Sequence, residues 1–98
     1  MTIQKTRNET ALTIALSGRL DTVTAPELEA VLKDALADVS ELTFDFEKLD
    51  YISSAGLRVL LSAQKTMNRQ GTMKVIHVNE MSLEIFEVTG FSDILTIE

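Results

Sequence analysis

Apolar residues recur at two spacings along this chain, and the shorter spacing predicts strands. Alternate positions are apolar in residues 11–16 and again in residues 42–46, which is the period of a strand that buries one face. A polar segment at residues 7–10 separates the first of these from an extended segment at residues 2–5, so we predict a hairpin. Two later extended segments are predicted at residues 73–78 and 94–97.

Helical spacing lies between the predicted strands. Thr24 and Glu27 have the spacing of a capping box, so we predict that a helix begins here. Its apolar residues share one face: Leu28, Val31, Leu32, Ala35 and Leu36. Two further helices are predicted: residues 55–70, with Gly71 as the stop, and residues 80–88, between an Asn79 cap and Gly90.

Strands separated by helices require crossover connections, which favour a mixed, partly parallel sheet packed with helices. We therefore predict an α/β fold. The 98 residues, 45% of them hydrophobic, are enough for one core, so we predict a single domain spanning residues 1–98.

The charge and composition of the chain exclude several function classes. The formal net charge of -6 argues against a nucleic-acid partner, which would require clustered Lys and Arg. The chain has no cysteine, and its first residues lack the apolar core of a signal peptide, so we expect a cytoplasmic protein without disulfides. Its apolar stretches are shorter than the roughly 20 residues that cross a bilayer, so we expect no direct membrane contact.

A serine pair, Ser53 and Ser54, stands where a strand is expected to give way to the longest helix. The first N–H groups of a helix lack intrahelical acceptors, and the helix dipole is positive there, so an anion such as a phosphate is favoured. Taken alone, a serine in this position is more often a simple N-cap.

The segment that begins at this pair, Ser-Ser-Ala-Gly-Leu-Arg-Val-Leu-Leu at residues 53–61, resembles the core signature of anti-sigma factor antagonists, the stand-alone STAS domains of bacteria. Supporting similarity lies at residues 16–21, 44–49 and 88–91. The resemblance implies a single STAS-like domain over the whole chain.

The resemblance also implies the site residues. The phosphorylated serine of the family falls on Ser54, with Ser53 in reserve because it occupies a position where many relatives have aspartate. Asp21, which follows an expected turn at residues 18–20, matches an aspartate that helps to engage the kinase. The implied partner-binding residues are Asp21, Ser53, Ser54, Ala55, Gly56 and Arg58.

The function implied by the resemblance is a partner switch. The unmodified domain would bind an anti-sigma factor serine kinase and so release a sigma factor, phosphorylation at Ser54 would cancel that binding, and a serine phosphatase would restore it. ATP and magnesium would belong to the kinase, so no cofactor is expected in this chain. The alternative is a non-switching STAS subunit of a lipid-transport ATPase or of a stressosome-like assembly.

Enzymatic and metal-binding interpretations have less support. Ser62 and Lys65 match a Ser-x-x-Lys pattern without its accompanying motifs, and a triad of Ser54, His77 and Asp21 would lack a nucleophile elbow. We therefore expect no catalytic residues. With one histidine and no cysteine, we expect no metal site, and we interpret Asp45, Glu47 and Asp50 as a solvated rim.

Overall fold

The computed structural model describes residues 1–98, with strands and helices largely in alternation. The strands are β1 (Thr2–Asn8), β2 (Ala11–Leu20), β3 (Glu41–Ile52) and β4 (Thr72–Ile76). The helices are α1 (Ala25–Ala35), α2 (Ser54–Gln70) and α3 (Glu80–Thr89), and a short 3-10 turn follows at Phe91–Asp93.

The strands form one sheet in the order β1-β2-β3-β4. β1 and β2 make the expected antiparallel hairpin, whereas β2, β3 and β4 run parallel to one another. The parallel connections are made by α1 and α2, as crossovers between parallel strands require. The prediction of an α/β fold with a mixed, partly parallel sheet is confirmed.

Side chains alternate across the central strands, so one face of the sheet is buried and the other is half-open. The buried face includes Leu12, Ile14, Leu16, Leu42, Phe44 and Phe46, which join one apolar cluster with residues from all three helices. The intervening residues Thr13, Ala15, Thr43 and Asp45 are only partly buried. The helices therefore cover one face of the sheet, and polar or small side chains occupy the other.

The expected turn at residues 18–20 is wrong, because these residues continue β2. Leu20 pairs with Ile52 of β3, and the pairing register shifts twice along the two strands. Gly18 lies at one of these shifts with φ of 95°, a conformation that favours glycine. Both strands are consequently longer than their apolar alternation indicates.

The expected capping box at Thr24 and Glu27 is also wrong in its bonding. Helix α1 begins where predicted, but the Thr24 side chain makes no cap hydrogen bond. Its hydroxyl instead donates to the carbonyl of Arg19 at 2.7 Å and accepts from the N–H of Asp21 at 2.9 Å. Thr24 thus fixes the loop that precedes the helix.

Two further positions near β4 differ from expectation. His77 was expected within the strand, but β4 ends at Ile76 and His77 has φ of 57°. The last extended segment is reduced to a single bridge between Val75 and Ile97. His77 therefore leaves the sheet where the backbone turns away from the strand.

Candidate functional site

The ends of β2 and β3 lie side by side and bring the predicted site residues to one edge of the sheet. Leu20 and Ile52 are register partners, and the N–H of Ser53 donates to the carbonyl of Leu20 at 2.8 Å. Asp21 and Ser54 therefore begin adjacent connections at the carboxyl edge, where open α/β sheets commonly carry functional loops.

The two serines have different environments. Ser54 is the first residue of α2 and is exposed. Ser53 is the N-cap residue in an extended conformation, but its hydroxyl oxygen is buried and has no hydrogen-bond partner. Only the Ser54 hydroxyl is thus presented to an incoming enzyme.

This difference predicts that Ser53→Ala will change the free energy of unfolding by less than about 0.5 kcal/mol, although removal of an N-cap serine usually costs about 0.5–2 kcal/mol. The matched control is Asn79→Ala. The Asn79 side chain caps α3 by accepting from Ser82 N–H at 2.8 Å and also donates to the Leu49 carbonyl at 3.1 Å. We expect that variant to lose about 1–3 kcal/mol in urea denaturation, and equal losses in both variants would contradict the buried, unbonded state of Ser53.

The N-terminus of α2 is suited to an anion. No side chain caps it, and no acidic residue lies in its first turn. Its first N–H groups and its dipole therefore remain available to negative charge. Arg58 is exposed one helical turn beyond Ser54, on the same side of the helix.

Asp21 is held as a fixed anion beside this edge. Its carboxylate accepts from the N–H groups of Thr24 and Val23 at 3.1 and 3.0 Å. The Thr24 N–H is the largest influence and, with the Val23 N–H, the Thr24 hydroxyl and Arg19, it holds the pKa of Asp21 below its ordinary value of 3.8, against the opposing effect of desolvation. Asp21 is therefore ionised at neutral pH.

The lowered pKa of Asp21 makes its stabilising effect depend on pH. A depressed carboxyl pKa stabilises the fold above the unfolded value, and the effect is lost as pH falls through the folded value. We expect Asp21→Asn, which removes the charge, to be less stable than wild type at pH 7. The difference in urea denaturation should shrink by roughly pH 3, and a gap that is unchanged between the two pH values would contradict the assignment.

Arg19 and Tyr51 join the site, although sequence reasoning did not select them. The Arg19 guanidinium lies 4.2 Å from the centre of the Tyr51 ring, and its Nε is 3.6 Å from an Asp21 carboxylate oxygen. Such a cation–π contact restrains a side chain that is otherwise largely exposed. The two residues are register partners across β2 and β3, a pairing that no local pattern in either strand indicates.

Ala55 and Gly56 lie under this edge. Ala55 is partly buried against the apolar core. Gly56 is buried, and a Cβ there would come within 2.6 Å of Leu20 Cγ. Gly56 therefore lacks the exposure expected of a partner-binding residue, and its place in the site is to let α2 approach the end of β2.

The residues of the enzymatic alternatives are not brought together. His77 bonds Asp45 at 2.9 Å and makes no hydrogen bond with Asp21 or Ser54. Asp45 precedes Ser53 by the whole remaining length of β3, which is about 26 Å at the rise of a strand. Ser62 and Lys65 are exposed in the middle of α2.

Comparison with known proteins gives the family. The family model for the STAS domain matches residues 2–98 of this chain. The chain belongs to the STAS domain family. This STAS domain is 31% identical over 98 residues to the anti-sigma-B factor antagonist of Listeria monocytogenes, covering 96% of this chain and 84% of that protein.

Solved structures share the fold of this STAS domain. A crystal structure of an anti-sigma factor antagonist from Mycobacterium paratuberculosis has a TM-score of 0.88 at 22% identity, over 98% of this chain and 83% of that one. The phosphorylated form of the Bacillus cell fate determinant SpoIIAA has a TM-score of 0.78 at 18% identity, over 99% of this chain and 91% of that one. The names of these relatives describe regulators rather than enzymes. None of the helices in this STAS domain has the length and apolar character needed to span a membrane.

Proposed function

We propose that this STAS domain is an anti-sigma factor antagonist whose binding is switched by phosphorylation at Ser54. In the unmodified state it binds an anti-sigma factor serine kinase and releases a sigma factor. The observation that carries the proposal is the contrast between the two serines, because Ser54 is exposed at the start of α2 while the Ser53 hydroxyl is buried.

The physical basis of the switch is charge at a contact surface. Phosphorylation adds about 1.5 to 2 negative charges at neutral pH. Asp21, which is already ionised, begins the adjacent connection at the same edge. A partner surface that binds the unmodified protein is matched to one anion, Asp21, and to the neutral Ser54 hydroxyl. Contact with the phosphorylated protein would desolvate the phosphate charge without providing a matching cation, which is unfavourable.

The same position allows the fold to tolerate the modification. Phosphate oxygens on Ser54 can accept hydrogen bonds from the free N–H groups of the first turn of α2, and the helix dipole favours their charge. Arg58, one turn further along, can screen it. The phosphorylated protein should therefore remain folded while its affinity for the kinase falls.

The remaining parts of the cycle belong to other proteins. The kinase supplies ATP and magnesium, and a serine phosphatase removes the phosphate and restores the binding form. Access by both enzymes requires that the Ser54 hydroxyl face solvent, as its exposure provides. The side chains that we propose to contact the kinase are Asp21, Ser54 and Arg58. Arg19, which lies over the Tyr51 ring, helps to hold the Asp21 carboxylate in place.

The proposal is tested by incubating the protein with its cognate kinase and ATP and locating phosphate by mass spectrometry. We expect one phosphate, on Ser54, in wild type and in Ser53→Ala, and none in Ser54→Ala. Phosphate that persists on Ser53 in the Ser54→Ala variant would contradict the assignment.

A second measurement addresses the partner. Ser54→Ala, which cannot be modified at this position, is used as bait in its native host. Recovery of a serine kinase that also binds a sigma factor supports the proposal. Recovery of transporter or stressosome-like components without such a kinase would overturn it.

A further inference from the structure

A second cluster of ionisable side chains lies apart from Ser54, where β4 ends beside the middle of β3. His77 Nδ1 is 2.9 Å from Asp45 Oδ1 and 3.9 Å from Glu47 Oε2. One donor atom from each of the three residues lies within 4.8 Å of the other two. The cluster thus combines an imidazole nitrogen with two carboxylates at a single point on the surface.

The backbone holds these side chains in place. The Glu47 N–H donates to Asp45 Oδ1 at 3.0 Å, which orients the carboxylate and leaves its second oxygen free. The register between β2 and β3 shifts after Asp45, so Glu47 lies in an irregular part of the strand. The left-handed conformation of His77 directs the backbone out of β4 and places the imidazole ring beside the carboxylates of Asp45 and Glu47.

We propose that Asp45, Glu47 and His77 form a binding site for zinc(II). Zinc binds histidine nitrogen and carboxylate oxygen at about 2.0–2.2 Å, which in tetrahedral geometry separates the donor atoms by roughly 3.3–3.6 Å. The observed separations of 2.9 and 3.9 Å bracket this value. The third separation, between the carboxylate oxygens of Asp45 and Glu47, is at most 4.8 Å. Side-chain rotations that change these separations by roughly 0.5–1.5 Å would complete the set.

The donor set also selects the class of ion. Magnesium and calcium prefer sites made of oxygen alone, whereas an imidazole with carboxylates suits zinc and similar transition metals. Three protein ligands leave a fourth position open to water. The sequence alone does not bring these three residues together, because His77 lies 32 residues from Asp45 along the chain.

Neighbouring groups set the conditions for binding. In the absence of metal, His77 and Asp45 form a hydrogen bond that raises the pKa of His77. Burial acts to raise the pKa of Asp45, but the bonds from His77 and from the Glu47 N–H outweigh it and leave that pKa lowered. Lys48 adds a positive charge nearby. Zinc binds the neutral form of the imidazole, so the titration of the protein with zinc is best made at about pH 8.

The test is isothermal titration of the whole protein with zinc chloride, followed by NMR of the His77 ring nitrogens. His77→Asn removes the imidazole while retaining a residue that tolerates positive φ. Asp50→Asn is the matched control, since it removes one exposed charge from the same strand outside the cluster. We expect one zinc per chain in wild type and Asp50→Asn, and affinity at least tenfold weaker in His77→Asn and Asp45→Asn.

The NMR measurement separates a built site from general attraction to an acidic surface. We expect zinc to shift the His77 ring signals in wild type, and an equal concentration of magnesium to leave them unchanged. Dissociation constants weaker than about 100 μM in wild type, or equal affinities in wild type and His77→Asn, would overturn the proposal. So would an equal loss in Asp50→Asn, and none of these outcomes bears on Ser54.

Discussion

Ser54→Asp is expected to bind the anti-sigma kinase about 30-fold more weakly than wild type, or about 2 kcal/mol, while Ser54→Ala binds within about threefold. Aspartate places a full negative charge at the start of α2 but carries less charge than a phosphate, so the phosphorylated protein should lose still more. The alanine variant keeps the surface neutral. Surface plasmon resonance with immobilised kinase measures the affinities of wild type, Ser54→Asp and Ser54→Ala.

The control for added charge is Ser92→Asp. Ser92 is exposed on the 3-10 turn that precedes the segment bridged in parallel to β4, so it lies toward the amino end of the parallel strands, opposite to the edge that carries Ser54. We expect its affinity to remain within about twofold of wild type, since a distant exposed charge is screened by salt. Binding of Ser54→Asp that equals wild type, or equal losses in Ser54→Asp and Ser92→Asp, would refute a local charge switch.

Gly71→Ala is expected to lower the free energy of unfolding by about 2–4 kcal/mol. Gly71 ends α2 with φ of 172°, an extended conformation, so its requirement for glycine is steric. A Cβ there would overlap the carbonyl oxygen of Ser40. That carbonyl accepts from Thr72 N–H at 2.9 Å, and Ser40 N–H donates to the Thr10 carbonyl at 2.9 Å, so the backbone is fixed on both sides.

Gly90→Ala is the matched control for this loss. Gly90 ends α3 with φ of 81°, and a Cβ there would meet no atom within 4 Å. The change should cost about 1–2 kcal/mol from the left-handed backbone alone. Urea denaturation of both variants checks the order, and a Gly90→Ala loss that equals or exceeds that of Gly71→Ala would contradict the steric account.

The fold was predictable because its elements carry local signals. Alternation in residues 11–16 and 42–46 indicates strands with one buried face, and the helical spacing after Thr24 indicates a helix that packs on that face. These periods reflect burial, which the finished sheet preserves. The predicted hairpin and the mixed sheet follow from them.

Two of the three failures originate in long-range pairing, and the third is a local competition for the Thr24 hydroxyl. Residues 18–20 look like a turn locally, yet their pairing with β3 makes them strand. The Thr24 hydroxyl bonds within its loop rather than to the helix, because it donates to the Arg19 carbonyl and accepts from the Asp21 N–H. His77 turns away from β4 and meets Asp45 on a neighbouring strand.

The site was predicted by resemblance more than by periodicity. The sequence places both serines at a helix start but does not distinguish their exposure, which is set by the packing around the end of β3 and the start of α2. Arg19 entered the site through its partner across the strands, Tyr51. The role of Ser54 stays a prediction until its phosphorylation is measured.

Ser54 begins α2 with a single residue between it and the end of β3, and the inner faces of both elements belong to the core. Phosphorylation at this position would therefore have no flexible segment next to it to rearrange. The two forms of the protein would therefore be nearly superimposable, and information would pass to a partner without an allosteric transition. The speed of the response would then depend on catalytic turnover and complex dissociation, with no slow change of shape in between.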